Sequence, residues 1–177
     1  MRPMTATAVA FAAGLLLTRA YAQPASPMAP APSAGINTAD FVKKAAISDM
    51  YEVQAGQLAQ SRSQNADVKA FAARMIHDHT ATTEKLKGIL ASTNQISLAP
   101  SGMDQAHREL LSELKKVSAG QFDQTYGQQQ VQAHEDAVAL FTGYSQNGQD
   151  AQIKKFAADT LPTIQDHLNM ARKLPAQ

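Results

Sequence analysis

Glu52, His79, His134 and His167 are the residues of this chain whose types and spacing could do chemistry. Each histidine lies on a stripe of apolar residues with the three-and-four spacing of one helical face, where a buried ring without partners costs roughly 1 to 3 kcal/mol. Neutral imidazoles combined with a carboxylate suit Zn, Fe, Mn, Ni or Cu. The pattern therefore predicts a transition-metal site with these four ligands, and it leaves the identity of the metal open.

The same four side chains are also compatible with a polar layer that fixes helix register and holds no metal. The protein would then be a non-enzymatic interaction or stress-related module of the cell envelope. A di-iron oxidase site is disfavoured, because that chemistry needs Glu-x-x-His on two helices, whereas Ile76 and Ile164 stand three residues before His79 and His167. Whether the protein is an enzyme is left open.

Other polar residues surround this pattern. Asp49 is a further carboxylate on the face of Glu52 and allows a weakly bound second metal. Asp78 and Asp166 each directly precede a histidine, so they point about 100° away from it on a helix. They could hydrogen-bond to metal ligands or pair with Lys or Arg. His77 is expected to be solvated.

The elements that must position these residues are predicted to be helices. Ala, Gln, Leu, Lys and Glu dominate the chain, and no sustained alternation of β-branched residues occurs. Asn37 or Thr38 can cap the first helix, Asn65 the second, and Pro162 should kink or restart the last. The predicted helices are 39–62, 65–94, a short one at 103–117 that ends before Ala119-Gly120, 122–147, and 150–173. In the first helix two faces could point inward: Ala45, Glu52, Gly56 and Ala59, or Ile47, Tyr51 and Leu58.

Four long helices with short links predict an all-α fold, an antiparallel four-helix bundle with the short helix in the crossover. The two hairpins read as a repeat, because SQN occurs at 63–65 and 145–147, each followed by [VI]-K-x-F-A-A and then by Asp-His. Glu52 lies 12 residues before Gln64 and His79 lies 15 after it, so antiparallel pairing places both at nearly one level. His134 and His167 flank Gly148 similarly, and the four side chains are expected to converge.

The chain begins with features of an export signal. Met1-Arg2 is followed by an uncharged run from Ala6 to Leu17 and by Ala20-Tyr21-Ala22, a pattern that signal peptidase cleaves. The predicted organisation is a signal peptide at 1–22 cut after Ala22, a Pro/Ala-rich linker at 23–36, and a helical domain at 37–177. The mature protein is then periplasmic or secreted.

Composition excludes several classes. With 16 Lys+Arg against 15 Asp+Glu there is no basic surplus for nucleic acid, and without Cys there is no thiolate chemistry. Nucleotide-binding, hydrolase and zinc-protease motifs do not occur. No transmembrane segment is expected in the mature chain. An envelope protein is the partner class left open, and the oligomeric state is not predicted.

Four segments resemble the exported bacterial family called domain of unknown function 4142: FVKKAAISDMYEVQAGQLA, VKAFAARMIHDHT, GQFDQTYGQQQVQAHEDAVALF and FAADTLPTIQDHL. The resemblance spans essentially all of residues 40 to 174. It implies a ferritin-like four-helix bundle and a periplasmic or envelope location, and it implies no established reaction or substrate. The family pattern falls on Glu52, Asp78, His79, His134 and His167.

Overall fold

The computed structural model describes residues 36–175, and within them the prediction of an all-α fold is confirmed. The predicted signal peptide, nearly all of the predicted linker and the last two residues lie outside the described part. No strand occurs between residues 36 and 175. The helices are α1 Thr38–Arg62, α2 Ala66–Ser92, a single 3-10 turn Ile96–Leu98, α3 Gln105–Lys116, α4 Ala119–Asn147 and α5 Ala151–Ala171.

Side-chain caps explain where four of these helices begin. Asn37, Asn65, Asp104 and Asp150 precede α1, α2, α3 and α5, and each accepts hydrogen bonds from backbone N–H groups of the first turn. Such caps satisfy donors that have no partner inside the helix. The choice of Asn37 over Thr38 is resolved, and Asn65 caps α2 as expected.

The link between α3 and α4 corrects one helix start. Helix α3 ends at Lys116, before Ala119-Gly120 as predicted, but this pair lies inside α4, which begins at Ala119 after Ser118 and not at Phe122. A glycine is tolerated in a first helical turn, so the pair does not delay α4. Of the two outcomes predicted for Pro162, a kink or a restart, the restart does not occur, since a single helix continues through it.

The first hairpin is formed by α1 and α2, which run antiparallel. Gln60 on α1 donates to the backbone carbonyl of Lys69, and nearer the other end Thr83 donates to Asp49. Between these contacts Gly56 lets the helices approach closely, because an added Cβ would lie 2.9 Å from Ile76. The connection Ser63-Gln64-Asn65 is thus short enough for α1 and α2 to pack against each other along their length.

The second hairpin is formed by α4 and α5. Lys154 reaches the backbone carbonyl of Gln146 near the connection, at 2.9 Å. Far from it, Arg172 pairs with Glu135 at 2.7 Å. These two helices are therefore antiparallel as well.

The two hairpins pack against each other through both pairs of helices. Between α1 and α4, Phe41 stacks on Tyr144 with ring centroids 4.2 Å apart, and the Tyr144 hydroxyl is 2.6 Å from the Thr38 hydroxyl. Between α2 and α5, Lys85 lies 3.5 Å from Asp159. All four long helices consequently border a shared interior.

The short helix α3 covers the outer side of α1. The Arg62 guanidinium donates to the carbonyls of Leu114 and Val117, and the ring of Tyr51 meets that of His107 at 5.6 Å. This explains why two faces of α1 carried apolar residues. One faces the shared interior, and the other lies under α3.

A layer of histidines separates two apolar clusters in the core. The rings of this layer come from α2, α4 and α5, and apolar side chains pack on either side. Cluster one contains Phe41, Val42, Ala45, Leu86, Leu90, Ala137, Phe141, Tyr144, Ile153, Phe156, Ala157 and Ile164. Cluster two contains Tyr51, Ala55, Ala59, Val68, Phe71, Ala72, Met75, Leu111, Leu114, Phe122, Tyr126 and Ala171.

No helix in the described part of the chain combines the length and apolarity that crossing a bilayer requires.

Candidate metal centre

Three histidines meet inside the core. His79 of α2, His134 of α4 and His167 of α5 have ring centroids 5.4 to 5.7 Å apart. Each offers one ligand atom, and these atoms lie within 4.8 Å of one another. The three residues are at most 5% exposed, so bulk water does not solvate them. The predicted convergence of these three residues is thus found in the structure.

Each imidazole uses one ring nitrogen for a hydrogen bond and leaves the other without a partner. The unpartnered atoms are Nε2 of His79, Nε2 of His134 and Nδ1 of His167. An oxygen acceptor that holds one nitrogen of a histidine fixes the ring and the tautomer, as is usual around metal ligands. The bonds, all 2.8 Å long, are His79 Nδ1 to Asp49, His134 Nδ1 to the Gln130 backbone carbonyl, and His167 Nε2 to Asp78.

Two of the rings are held neutral. Burial and the charge of His79 lower the pKa of His134 to about 3, although the bond to the Gln130 carbonyl opposes this. Burial likewise lowers the pKa of His167 to about 4 despite its bond to Asp78. A carbonyl cannot donate, so the hydrogen of neutral His134 sits on Nδ1 and the lone pair on Nε2. At pH 7 both rings present a nitrogen lone pair.

His79 differs because it faces buried carboxyl groups. Burial alone would lower its pKa, but the hydrogen bond and charge of Asp49, with the charge of Glu52, outweigh burial and raise it. Asp49 is itself buried and also accepts from Thr83 at 3.1 Å. A metal cation at His79 Nε2 would take the place of the proton that these carboxyl groups otherwise favour.

Glu52 lies outside the group of ligand atoms that approach within 4.8 Å, which consists of the three histidines. Its side chain is nevertheless fully buried, and neither carboxylate oxygen has a hydrogen-bond partner. Burial raises the pKa of Glu52 to about 7, while the charge of His79 pulls in the opposite direction. The side chains of Gln130 and Tyr126 are likewise buried and unpartnered.

Asp49 and Asp78 are the aspartates that hydrogen-bond to rings of the cluster. Asp49 holds His79, a role the sequence reasoning missed, although Asp49 shares the face of Glu52 and the antiparallel register could have revealed it. Asp78 hydrogen-bonds to His167 of the other hairpin and to Arg74. Asp166 is exposed. Of the two aspartates that precede histidines, one therefore touches a ring.

Asp78 also connects to the surface. Burial would raise its pKa, but hydrogen bonds from His77, His167 and Arg74 outweigh this and hold the pKa at about 2. The ring of His77 is exposed, as expected. His107 lies away from the cluster, against Tyr51.

Comparison with known proteins gives a family. The family model described as "Domain of unknown function (DUF4142)" matches residues 22–174. The chain belongs to this family. No curated protein and no solved structure matches the chain. The family description names no activity, so the chemistry of this DUF4142 chain has to be argued from its own side chains.

The histidines of this DUF4142 chain fit a metal ion by donor type and by spacing. Metal–nitrogen bonds of about 2.1 Å place tetrahedral ligand atoms about 3.4 Å apart. Ligand atoms that all lie within 4.8 Å of one another need to close by about 1.4 Å at most, which side-chain adjustment can supply. Three buried histidines close together can therefore hold a metal ion.

Proposed function

We propose that this DUF4142 chain is an exported, ferritin-like four-helix bundle of two pseudo-repeated hairpins that binds one transition-metal ion. The ligands are His79, His134 and His167, with Glu52 as the fourth. The observation that carries the proposal is that three buried histidines, each with one ring nitrogen that has no hydrogen-bond partner, offer ligand atoms within 4.8 Å of one another.

A purely structural polar layer accounts for these nitrogens less well. In such a layer the rings would be expected to bond to each other or to neighbouring side chains, because each unpartnered buried group costs about 1 to 3 kcal/mol. Here every ring has one nitrogen bonded to an oxygen and the other without a partner. One cation would satisfy all three unpartnered nitrogens together.

Charge supports Glu52 as the fourth ligand. Its carboxyl group is buried without an ion pair, and its pKa of about 7 indicates that a nearby positive charge is needed to ionise it fully. A divalent cation on the histidines would supply that charge. Gln130 and Tyr126, whose polar atoms are also unpartnered, would then orient the carboxylate.

Three imidazoles and one carboxylate suit Zn, Fe, Mn, Ni or Cu, and the nitrogen-rich set disfavours Mg and Ca. The overall architecture is supported by the antiparallel contacts within and between the hairpins. Export is supported by the signal-like sequence at 1–22. The proposal stops at binding and includes no reaction.

Elemental analysis of the protein, purified without a His tag or chelator, tests metal binding. We expect about one equivalent of metal per chain, and less than a tenth of that in His134→Ala. His107→Ala is the control, because His107 lies away from the cluster, against Tyr51. Equal metal in all three proteins, or no metal bound after addition of Zn, Fe, Mn, Ni or Cu, would overturn the proposal in favour of the structural layer.

Export has its own test. The protein recovered from the periplasm or medium should begin at Gln23 when its N-terminus is sequenced. Recovery of the uncleaved chain from the cytoplasm would contradict this part of the proposal and leave the metal site untouched.

A further inference from the structure

A small cavity adjoins two of the three histidines. It measures about 10 Å³, room for about one water molecule, and His79 and His167 line it. Its apolar walls include Ala45, Phe141 and Ile164, all from cluster one. Glu52 does not line it. The cavity therefore reaches the histidine layer from cluster one, whereas Glu52 neighbours the tyrosines of cluster two.

Hydroxyl groups make this cavity partly polar. Thr82 and Thr163 line it together with Ser48, and Asp49 lies at the same wall. The lining is mostly apolar apart from these few groups, so the cavity suits a molecule about the size of water that needs few hydrogen bonds.

A larger groove lies on the outside of the same wall. It has a volume of about 510 Å³ and runs between α1, α3 and α4, with Lys44, Asp104 and His107 along it. Ser48 and Ala137 line the groove and also line the inner cavity. Two small side chains thus form the partition between the groove and the space beside His79 and His167.

We infer that the groove between α1, α3 and α4 is the entrance for a small ligand, which passes Ser48 and Ala137 to reach a fifth position on the metal that the four side chains leave open. The inference rests on the proposed metal site. The cavity restricts the ligand to water-sized molecules, such as dioxygen, peroxide or a small anion, and excludes organic substrates. The groove carries charges of both signs, Lys44 against Asp104 and Asp136. It should therefore give no preference to a ligand with a strong positive or negative charge.

The partition is testable because its residues are small and lie off the ligand set. The full protein is loaded with Co²⁺, whose visible absorption reports coordination, and azide is then mixed in by stopped flow. We expect azide to change the Co²⁺ spectrum. We expect Ser48→Leu to slow that change by about tenfold or more and Ser48→Gly to speed it several-fold, as for a gating step.

Two further variants locate the route. Ala139→Leu is the matched control, since Ala139 lines the groove but not the inner cavity and should leave the rate unchanged. Ala137→Leu should slow the change as Ser48→Leu does. Because Ala137 is buried and its variant could unfold, the Ser48 pair keeps the test decisive.

The outcomes separate the two proposals. Absence of a Co²⁺ spectrum at the start means that the metal site itself is wrong, and the entrance falls with it. A normal Co²⁺ spectrum that azide does not alter, or an azide rate that the Ser48 variants do not change, overturns the entrance alone. Slowing by Thr163→Leu instead would place the route between α2 and α5, which also overturns it.

Discussion

The two hairpins contribute unequally to the histidine cluster. The first, α1 and α2, supplies His79 and all three acidic residues that bear on the rings, Asp49, Glu52 and Asp78. The second, α4 and α5, supplies His134 and His167 and no carboxylate partner. Its aspartate beside a histidine, Asp166, points to solvent.

This asymmetry divides the electrostatics of the cluster. Carboxyl groups raise the pKa of His79, whereas burial lowers those of His134 to about 3 and His167 to about 4. The second hairpin therefore presents neutral lone pairs, and the first presents the negative charge that balances a cation. The two hairpins have similar helical sequence patterns but place different charges around the rings.

The largest expected difference is in the stability of the metal-free protein. His79→Ala should lower the free energy of unfolding by about 3 kcal/mol or more, because it leaves the buried Asp49 with only the Thr83 hydroxyl and no ion partner. His134→Ala should cost about 1 to 2 kcal/mol, since only packing and one bond to a carbonyl are lost. Urea unfolding with a chelator present measures both. Equal losses would show that the hairpins are not electrostatically distinct.

The two aspartates that hydrogen-bond to the rings, Asp49 and Asp78, should differ in their effect on metal affinity. Asp49→Asn should weaken binding by about 10- to 100-fold, as is usual when the partner of a metal ligand is altered. Asp78→Asn should cost less, about tenfold or under, because Asp78 is partly exposed and shares its charge with Arg74. Competition with a chromophoric chelator gives both constants, and the reverse order would contradict the assignment.

Close packing between α1 and α2 should make substitution of Gly56 destabilising. Gly56→Ala places a methyl group 3.0 Å from the Ala72 carbonyl and 2.9 Å from Ile76, so we expect a loss of about 1 to 2 kcal/mol. Gly143→Ala in the second hairpin meets Ile36 at an ordinary 3.6 Å and should gain about 0.5 to 1 kcal/mol. Thermal unfolding of the two variants distinguishes them, and a stabilised Gly56→Ala would refute the close approach.

The smallest expected effect concerns the helix caps and pH. Hydrogen bonds from the first turn of α5, with one from Gln95, lower the pKa of Asp150 below 3.8. A lowered pKa in the folded state means that the charge stabilises the fold above pH 3.8 and that this gain disappears as the pH falls through the lowered value. Asp150→Asn should remove about 0.5 to 1 kcal/mol at pH 7, and progressively less as the pH falls through the lowered pKa of Asp150.

Asn65, the cap of α2, provides the counterpart. It does not titrate, so Asn65→Asp should introduce the same pH dependence at the first hairpin. Differences in unfolding free energy between each variant and the parent, followed from pH 7 downwards, isolate the caps from other titrating groups. A pH-independent difference for both variants would exclude the charge contribution.

Helix positions were predictable because their signals are local. The stripe of α4 from Phe122 through Tyr126, Gln130 and His134 to Phe141 is buried as the three-and-four spacing indicated. The start of α4 was misplaced because a local signal has two meanings: Ala119-Gly120, which resembles a helix stop, lies in the first turn of α4. Pro162 lies inside α5, which continues through it without restarting.

The sequence by itself determined the all-α fold, the capped helix starts and the inward faces of His79, His134 and His167, since periodicity and capping act within a few residues. Tertiary structure alone decided that Asp49 holds His79, that Asp78 crosses to His167 and that α3 covers the second face of α1. Those pairings depend on the rotation and level of one helix against another. The rotation and level of each helix are set by packing of the whole core, and no short segment of sequence encodes them.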